Sequence, residues 1–183
     1  MADFIDKDTK IELYKIIIKR YQNTINENES HSVSEIRQRT SPYSDFIRSL
    51  KAKLLCDLPN YDHKKDFLTA VHLAISYIAS IHTCEFAFTF WMAFEDIERL
   101  KIATVTDKSI LFVALLRSFE SEDAVVVMTT KGRAVVNFAW AGNNYIFVPE
   151  TGSLVVGEDS TKIFSDDPPA YSFNDLKYEN YDK

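Results

Sequence analysis

Apolar residues recur at helical spacing through the first two thirds of the chain and in denser, strand-like runs after it. Ile11, Tyr14, Ile18 and Tyr21 are spaced by three and four, and Leu13 and Ile17 widen that stripe. The pattern predicts an amphipathic helix capped by Asp6 or Asp8, with Lys10, Lys15, Lys19 and Arg20 on its flanks. A polar run over residues 23–32 then predicts a loop or linker. A second helix is expected over 43–55, stopped before Pro59. The third has the clearest period, with Phe67, Val71, Ala74, Ile78 and Ile81 on one face and Asp62 or His63 near its start. The aromatic-rich stretch 86–100 is expected to be helical at its end. A fifth helix, 107–119, turns Ile110, Leu111, Ala114, Leu115 and Phe119 inward. Thr104, Thr106 and Asp107 open it, and these residue types satisfy unpaired first-turn N–H groups.

After residue 120 the period changes. Ala124-Val125-Val126-Val127-Met128 is rich in β-branched residues. The runs 134–140 and 145–148 flank Ala141-Gly142-Asn143-Asn144, which predicts a hairpin with its turn at those four residues. Helices followed by a meander of strands define an α+β domain. The segment 165–183, with Asp166-Asp167-Pro168-Pro169, is polar and expected to be poorly ordered unless docked. The resulting division is an N-terminal helix and linker (1–32), an α+β domain (33–164) and a C-terminal tail (165–183).

Composition narrows the chemistry. The 183 residues are 46% hydrophobic and 13% aromatic, enough for one substantial core. Lys and Arg number 21 against 27 Asp and Glu, a net charge of -6, which argues against a nucleic-acid partner. The four glycines, Gly132, Gly142, Gly152 and Gly157, build neither a phosphate loop nor a dinucleotide fingerprint. Cys56, Cys84 and four histidines form no CxxC, HxxxH or HExxH, so neither a metal nor a cofactor is expected. The acidic start lacks a cationic leader, and apolar runs such as 16–18 and 110–116 are too short to span a bilayer. The expectation is a soluble cytoplasmic protein without a membrane partner.

Between 67 and 152 the chain resembles a known family. Thr106-Asp107-Lys108-Ser109, followed by Leu111 and Ala114-Leu115-Leu116-Arg117, is similar to the nucleophile helix of the transglutaminase-like superfamily, which has the papain-like fold. That superfamily reads Asp-Cys-x-Asp-Lys-Ala before an apolar helix ending in Leu-Leu-Arg. Glu122-Asp123-Ala124-Val125-Val126-Val127 resembles its next strand. Arg133-Ala134-Val135-Val136 stands where the family has His-Ala-x-Val, and Tyr145-Ile146-Phe147-Val148-Pro149 where it has an aromatic-apolar run ending in Asp-Pro.

The resemblance implies a papain-like α+β fold with an N-terminal helical extension, and a site built from Cys, His and Asp. In such a site the helix N-terminus favours a thiolate, an imidazole on the facing strand takes its proton, and a carboxylate orients the imidazole. Here the three positions hold Val105, Arg133 and Val148. A hydrocarbon cannot attack a carbonyl, and a guanidinium is no neutral base. The hairpin register also leaves Asn137 as an alternative to Arg133 opposite the nucleophile position, and asparagine is no base either.

Other chemistry-bearing residues have bland alternatives. Thr104, Thr106 and Ser109 read as caps, Cys56 and Cys84 as small buried residues, and His72 as a helical histidine. Asp107 reads as a helix-start carboxylate and Lys108 as a residue on a solvated edge. Trp91, in the cluster with Phe86, Phe88 and Phe90, is either core or the lining of the former cleft. Candidate ligand-binding residues are therefore Trp91, Asp107, Arg133 and Asn137. The implied function is a non-catalytic transglutaminase-like binding or scaffold module with a protein or peptide partner, Arg133 being suited to a carboxylate. The alternatives are a hydrolase or acyl transferase with a relocated nucleophile, and assembly mediated by the helix over 7–22.

Overall fold

A computed structural model describes residues 7–27, 32–86, 91–157 and 162–181. In chain order these form α1 (Lys7–Glu27), α2 (Val33–Arg39), α3 (Asp45–Leu54), α4 (His63–Ala79), β1 (His82–Thr83), α5 (Phe94–Leu100), β2 (Ile102–Ala103) and α6 (Val105–Ser118). Strands β3 (Val125–Thr129), β4 (Ala134–Trp140), β5 (Asn143–Val148), β6 (Ser153–Val156), β7 (Pro169–Phe173) and β8 (Tyr178–Asn180) complete the chain. The Asp6 cap, residues 28–31 of the expected linker, Phe88 and Phe90 fall outside the described residues.

Helix α6 is the axis of the molecule. Every residue from Asp107 to Arg117 is buried, because α3 and α4 pack on one side and β2, β3 and β4 on the other. A helix enclosed in this way needs apolar residues all round, which is why 110–116 is hydrophobic without a polar face. Its start is set by a capping box: Thr104 Oγ1 accepts from the Asp107 N–H at 3.1 Å, and Asp107 Oδ2 accepts from the Thr104 N–H at 3.3 Å.

The main sheet is antiparallel throughout, in the order β6-β5-β4-β3-β7-β8. Alternation along its strands separates two faces. Val126, Val136, Phe138, Tyr145, Phe147 and Phe173 join the core around α6, with the Phe112 and Phe147 rings 4.5 Å apart. Val125, Val127, Val135 and Ile146 form a second cluster on the other face, covered by Val148, Ile163 and Phe164. A separate two-stranded parallel pair, β1 with β2, leads into α6.

Several expectations need correction. Helix α1 extends through Glu27, where a loop was expected from residue 23, and α2 follows with a Ser32–Glu35 capping box. The inward stripe of α1 is Leu13, Ile17 and Tyr21, while Ile11 and Ile18 face solvent. The reason is polar: the Tyr21 hydroxyl donates to buried Asp96 and accepts from the Ala93 N–H, and Arg20 pairs with the same Asp96. These bonds to α5 rotate the helix. The hairpin turn is only Ala141-Gly142, both at positive φ (49° and 78°), so Asn143 and Asn144 belong to β5.

The segment expected to be poorly ordered unless docked is docked over residues 165–181: β7 pairs with β3 inside the sheet and β8 pairs with β7. Phe173 and Asn174 are fully buried, and Asn174 Nδ2 donates to the carbonyls of Glu122 and Ala124. The alternation of Tyr171 and Phe173 with Ala170 and Ser172 is the strand signal that the polar flanks obscured. Among the described residues no helix is long and apolar enough to cross a membrane.

Candidate functional site

The N-terminus of α6 opens into a cleft of about 810 Å³. One wall is Cys84, Glu85, Phe86 and Trp91, the floor is Thr104-Val105-Thr106, and the far wall is the β3–β4 turn (Lys131, Gly132, Arg133) with residues from 162 to 167. The N–H groups of Val105 and Thr106, being at the first two helical positions, have no carbonyl partner within the helix. The cleft thus receives the positive end of a 14-residue helix.

Of the sequence-predicted residues, Trp91, Val105 and Arg133 meet at this cleft. Trp91 is half-buried and stacks on Phe173 at 6.4 Å, so it belongs to core and cleft at once. Asp107 lies behind the floor, 2% exposed, where it closes the capping box and accepts from the Met92 N–H at 3.1 Å. Burial pushes its carboxyl up to about 6, against the opposing hydrogen bonds from Thr104 and Met92 and the charge of Arg39.

Val148 and Asn137 are not brought to the cleft. Val148 packs on the second cluster, on the face of the sheet away from α6. Asn137 pairs with Val125 and Ile146 and so shares that outer face, with Oδ1 buried and unbonded. Lys108, expected on a solvated edge, is 4% exposed and donates to Thr83 Oγ1 at 2.8 Å. Desolvation pulls its ammonium pKa down. Of the hydroxyls near the helix start, Thr104 caps, Ser109 Oγ donates back to the Val105 carbonyl at 2.9 Å, and Thr106 lines the cleft.

Arg133 is held rather than free. Its Nη2 donates to the Ile163 carbonyl at 2.9 Å, and its Nε lies 3.3 Å from Asp167 Oδ2 without forming a directed hydrogen bond. Asp167 also accepts from Thr129 Oγ1 at 2.7 Å, from the Lys131 N–H at 2.9 Å and from Thr130 Oγ1 at 3.3 Å. Burial raises the Asp167 pKa, but these donors and Arg133 outweigh it and hold the carboxyl below its usual range. Asp167 and Cys84 line the cleft without having been among the candidate ligand-binding residues. One sits in a segment read as tail, and the other reaches the cleft only because β1 runs beside β2 into α6.

This arrangement, a helix N-terminus abutting an antiparallel sheet beside a cleft, is that of the papain-like α+β fold. Among solved structures the chain is similar to Legionella pneumophila LapG, with a TM-score of 0.56 and 14% identity over 82% of this chain and 88% of LapG. The EGTA-treated form of LapG gives 0.56 and 14% over 84% and 87% of the two chains, and its calcium-bound form 0.55 and 12% over 90% and 87%. At these identities the likeness is one of fold. Neither the protein-family models nor the curated protein sequences gave a match. Calcium belongs to the LapG structure; among the described residues of this chain no three His, Cys, Asp or Glu side chains are grouped to hold a metal ion.

Proposed function

We propose that this chain is a non-catalytic binding module on a papain-like frame, taking a protein or peptide segment in the cleft at the start of α6. One observation carries the reading. The helix start that opens into the cleft presents the hydrocarbon of Val105, and none of the described cleft residues is a histidine. Arg133, which stands where the resemblance places the base, is a guanidinium occupied by Asp167 and the Ile163 carbonyl. What remains is a recognition surface: the Trp91 and Phe86 rings, the open amides of the helix start, and a rim of mixed charge from Lys131, Glu150 and Asp166.

A second reading rests on Cys84, the cleft's one thiol among the described residues, which would act as a relocated nucleophile. Its Sγ donates to the Glu85 carbonyl at 3.6 Å, and none of the described cleft residues is a histidine to take its proton. The two readings separate in one experiment. Purified protein is assayed for amidase, peptidase and acyl-transfer turnover, and the alkylation of Cys84 and Cys56 is followed across pH 6–9. No turnover is expected, and Cys84 should alkylate no faster near neutral pH than its small exposure allows. Turnover abolished by Cys84→Ser would overturn the non-catalytic reading.

A further inference from the structure

Helix α1 carries apolar residues on two sides. Leu13 and Ile17, 3% and 0% exposed, enter the core, and the Tyr21 hydroxyl ties that side to α5. Ile11 and Ile18 lie on the outer side, 42% and 49% exposed, and the three-and-four spacing sets exposed Lys7, Lys15 and Lys19 on the same strip. Among the described residues Lys15 and Lys19 have no carboxylate partner, whereas Arg20 pairs with Asp96. Over residues 7–21 five cations stand against two carboxylates, Asp8 and Glu12, in a chain of net charge -6. A single exposed isoleucine is ordinary. Two of them one heptad apart, about 10.5 Å along the axis, with lysines between and beside them, make a seam.

We infer that the outer strip of α1 docks an acidic helix of another protein. The heptad spacing of Ile11 and Ile18 matches successive knob positions of a facing helix, whose flanking carboxylates would meet Lys15 and Lys19. Other occupants fit less well. A second copy related by a two-fold sets Ile11 against Ile18 but also Lys15 against Lys15, and like charges oppose that contact. A membrane surface needs a broad apolar face, and the broader one of α1 is already in the core. A nucleic acid is opposed by the net charge and would leave the isoleucines uncovered. No residue of the strip lines the cleft, so neither catalytic activity nor an empty cleft would touch this docking.

The test uses the full chain and a fluorescein-labelled peptide of three heptads, with leucine at a and d and glutamate at e and g, whose own charges keep it monomeric. The control has lysine at e and g. Fluorescence anisotropy should show saturable one-to-one binding of the acidic peptide, weakened by salt, and none of the basic one. Ile11→Ser with Ile18→Ser should weaken binding about tenfold, and Lys15→Glu with Lys19→Glu by a similar factor. All four positions are exposed, so the variants keep the fold, which circular dichroism checks. No binding of the acidic peptide overturns the inference. So does binding that depends on the lysines and ignores the isoleucines, which would be charge attraction alone. A dimer in light scattering that Ile18→Ser dissolves assigns the strip to a second copy. Tighter binding to phosphatidylserine vesicles than to the peptide assigns it to a membrane. Either result overturns the acidic helix.

Discussion

The two ends of α6 are finished in opposite ways. At the C-terminal end Lys51 Nζ donates to the Ser118 carbonyl at 2.5 Å, and the Tyr61 hydroxyl and His63 Nδ1 both bond the Phe119 carbonyl at 2.8 Å. Arg117, 7% exposed, pairs with Asp175 through two nitrogens and also donates to the Ser121 carbonyl at 3.1 Å. Carbonyls, which carry the negative end of the dipole, are met by donors from α3, the α3–α4 loop and α4. At the N-terminal end the cap is internal, between Thr104 and Asp107, and the outer surface is left to the cleft. One end joins the molecule together, and the other is kept open for something else.

If that contrast is right, the heaviest loss comes from removing what seals the closed end. Deleting everything after Asp167 takes away β7, β8, Phe173 and Asp175 together. We expect no cooperative unfolding transition at all, followed by circular dichroism on heating. A truncated chain that melts near the wild-type temperature would mean that the last two strands are dispensable and that β3 tolerates an exposed edge.

Next in size, Arg117→Ala strands the Asp175 carboxylate in a buried site and should cost about 3–5 kcal/mol. Val105→Ala at the open end should stay within about 1 kcal/mol. Denaturant titration of the two variants, side by side, measures the asymmetry directly. Comparable losses would erase the distinction between the ends.

A further expected effect is a pH dependence confined to the open end. Asp107 titrates at about 6 when folded, against about 3.9 for a free aspartate. The folded chain therefore binds the proton more tightly, and this group's contribution is fully present below about pH 4 and lost as pH rises through about 6. The loss is on the order of 2–3 kcal/mol. Asp107→Asn is neutral at every pH and should remove that slope, even though the amide caps the helix less well. Stability of both proteins is compared at pH 4, 5, 6 and 7. Parallel profiles would show that burial does not control this carboxyl.

Much of the architecture was legible in the chain. The helix over 63–79 follows its period, α6 its cap residues and apolar run, and the β4–β5 hairpin its flanking strands and Gly142. Such features depend on neighbours a few residues apart, and short-range physics decides them. The order of helices before strands was enough for the α+β class, and the quoted segments around Asp107 and Arg133 for the papain-like resemblance.

Other features depended on partners far along the chain. The face that α1 turns inward follows Asp96, some 75 residues away. Lys108 and Asp107 are buried because α6 is enclosed on every side, which no local pattern records. Residues 169–180 read as polar by themselves and become strands because β3 presents an unpaired edge that their backbone satisfies. Which of the four triad-region positions line the cleft was likewise decided by the tertiary structure: Val105 and Arg133 do, while Val148 and Asn137 lie along the outer face of the sheet. Local propensity sets which elements form. Burial and the pairing of distant polar groups decide which side chains share a cleft, because those energies exist only when the chain has closed on itself.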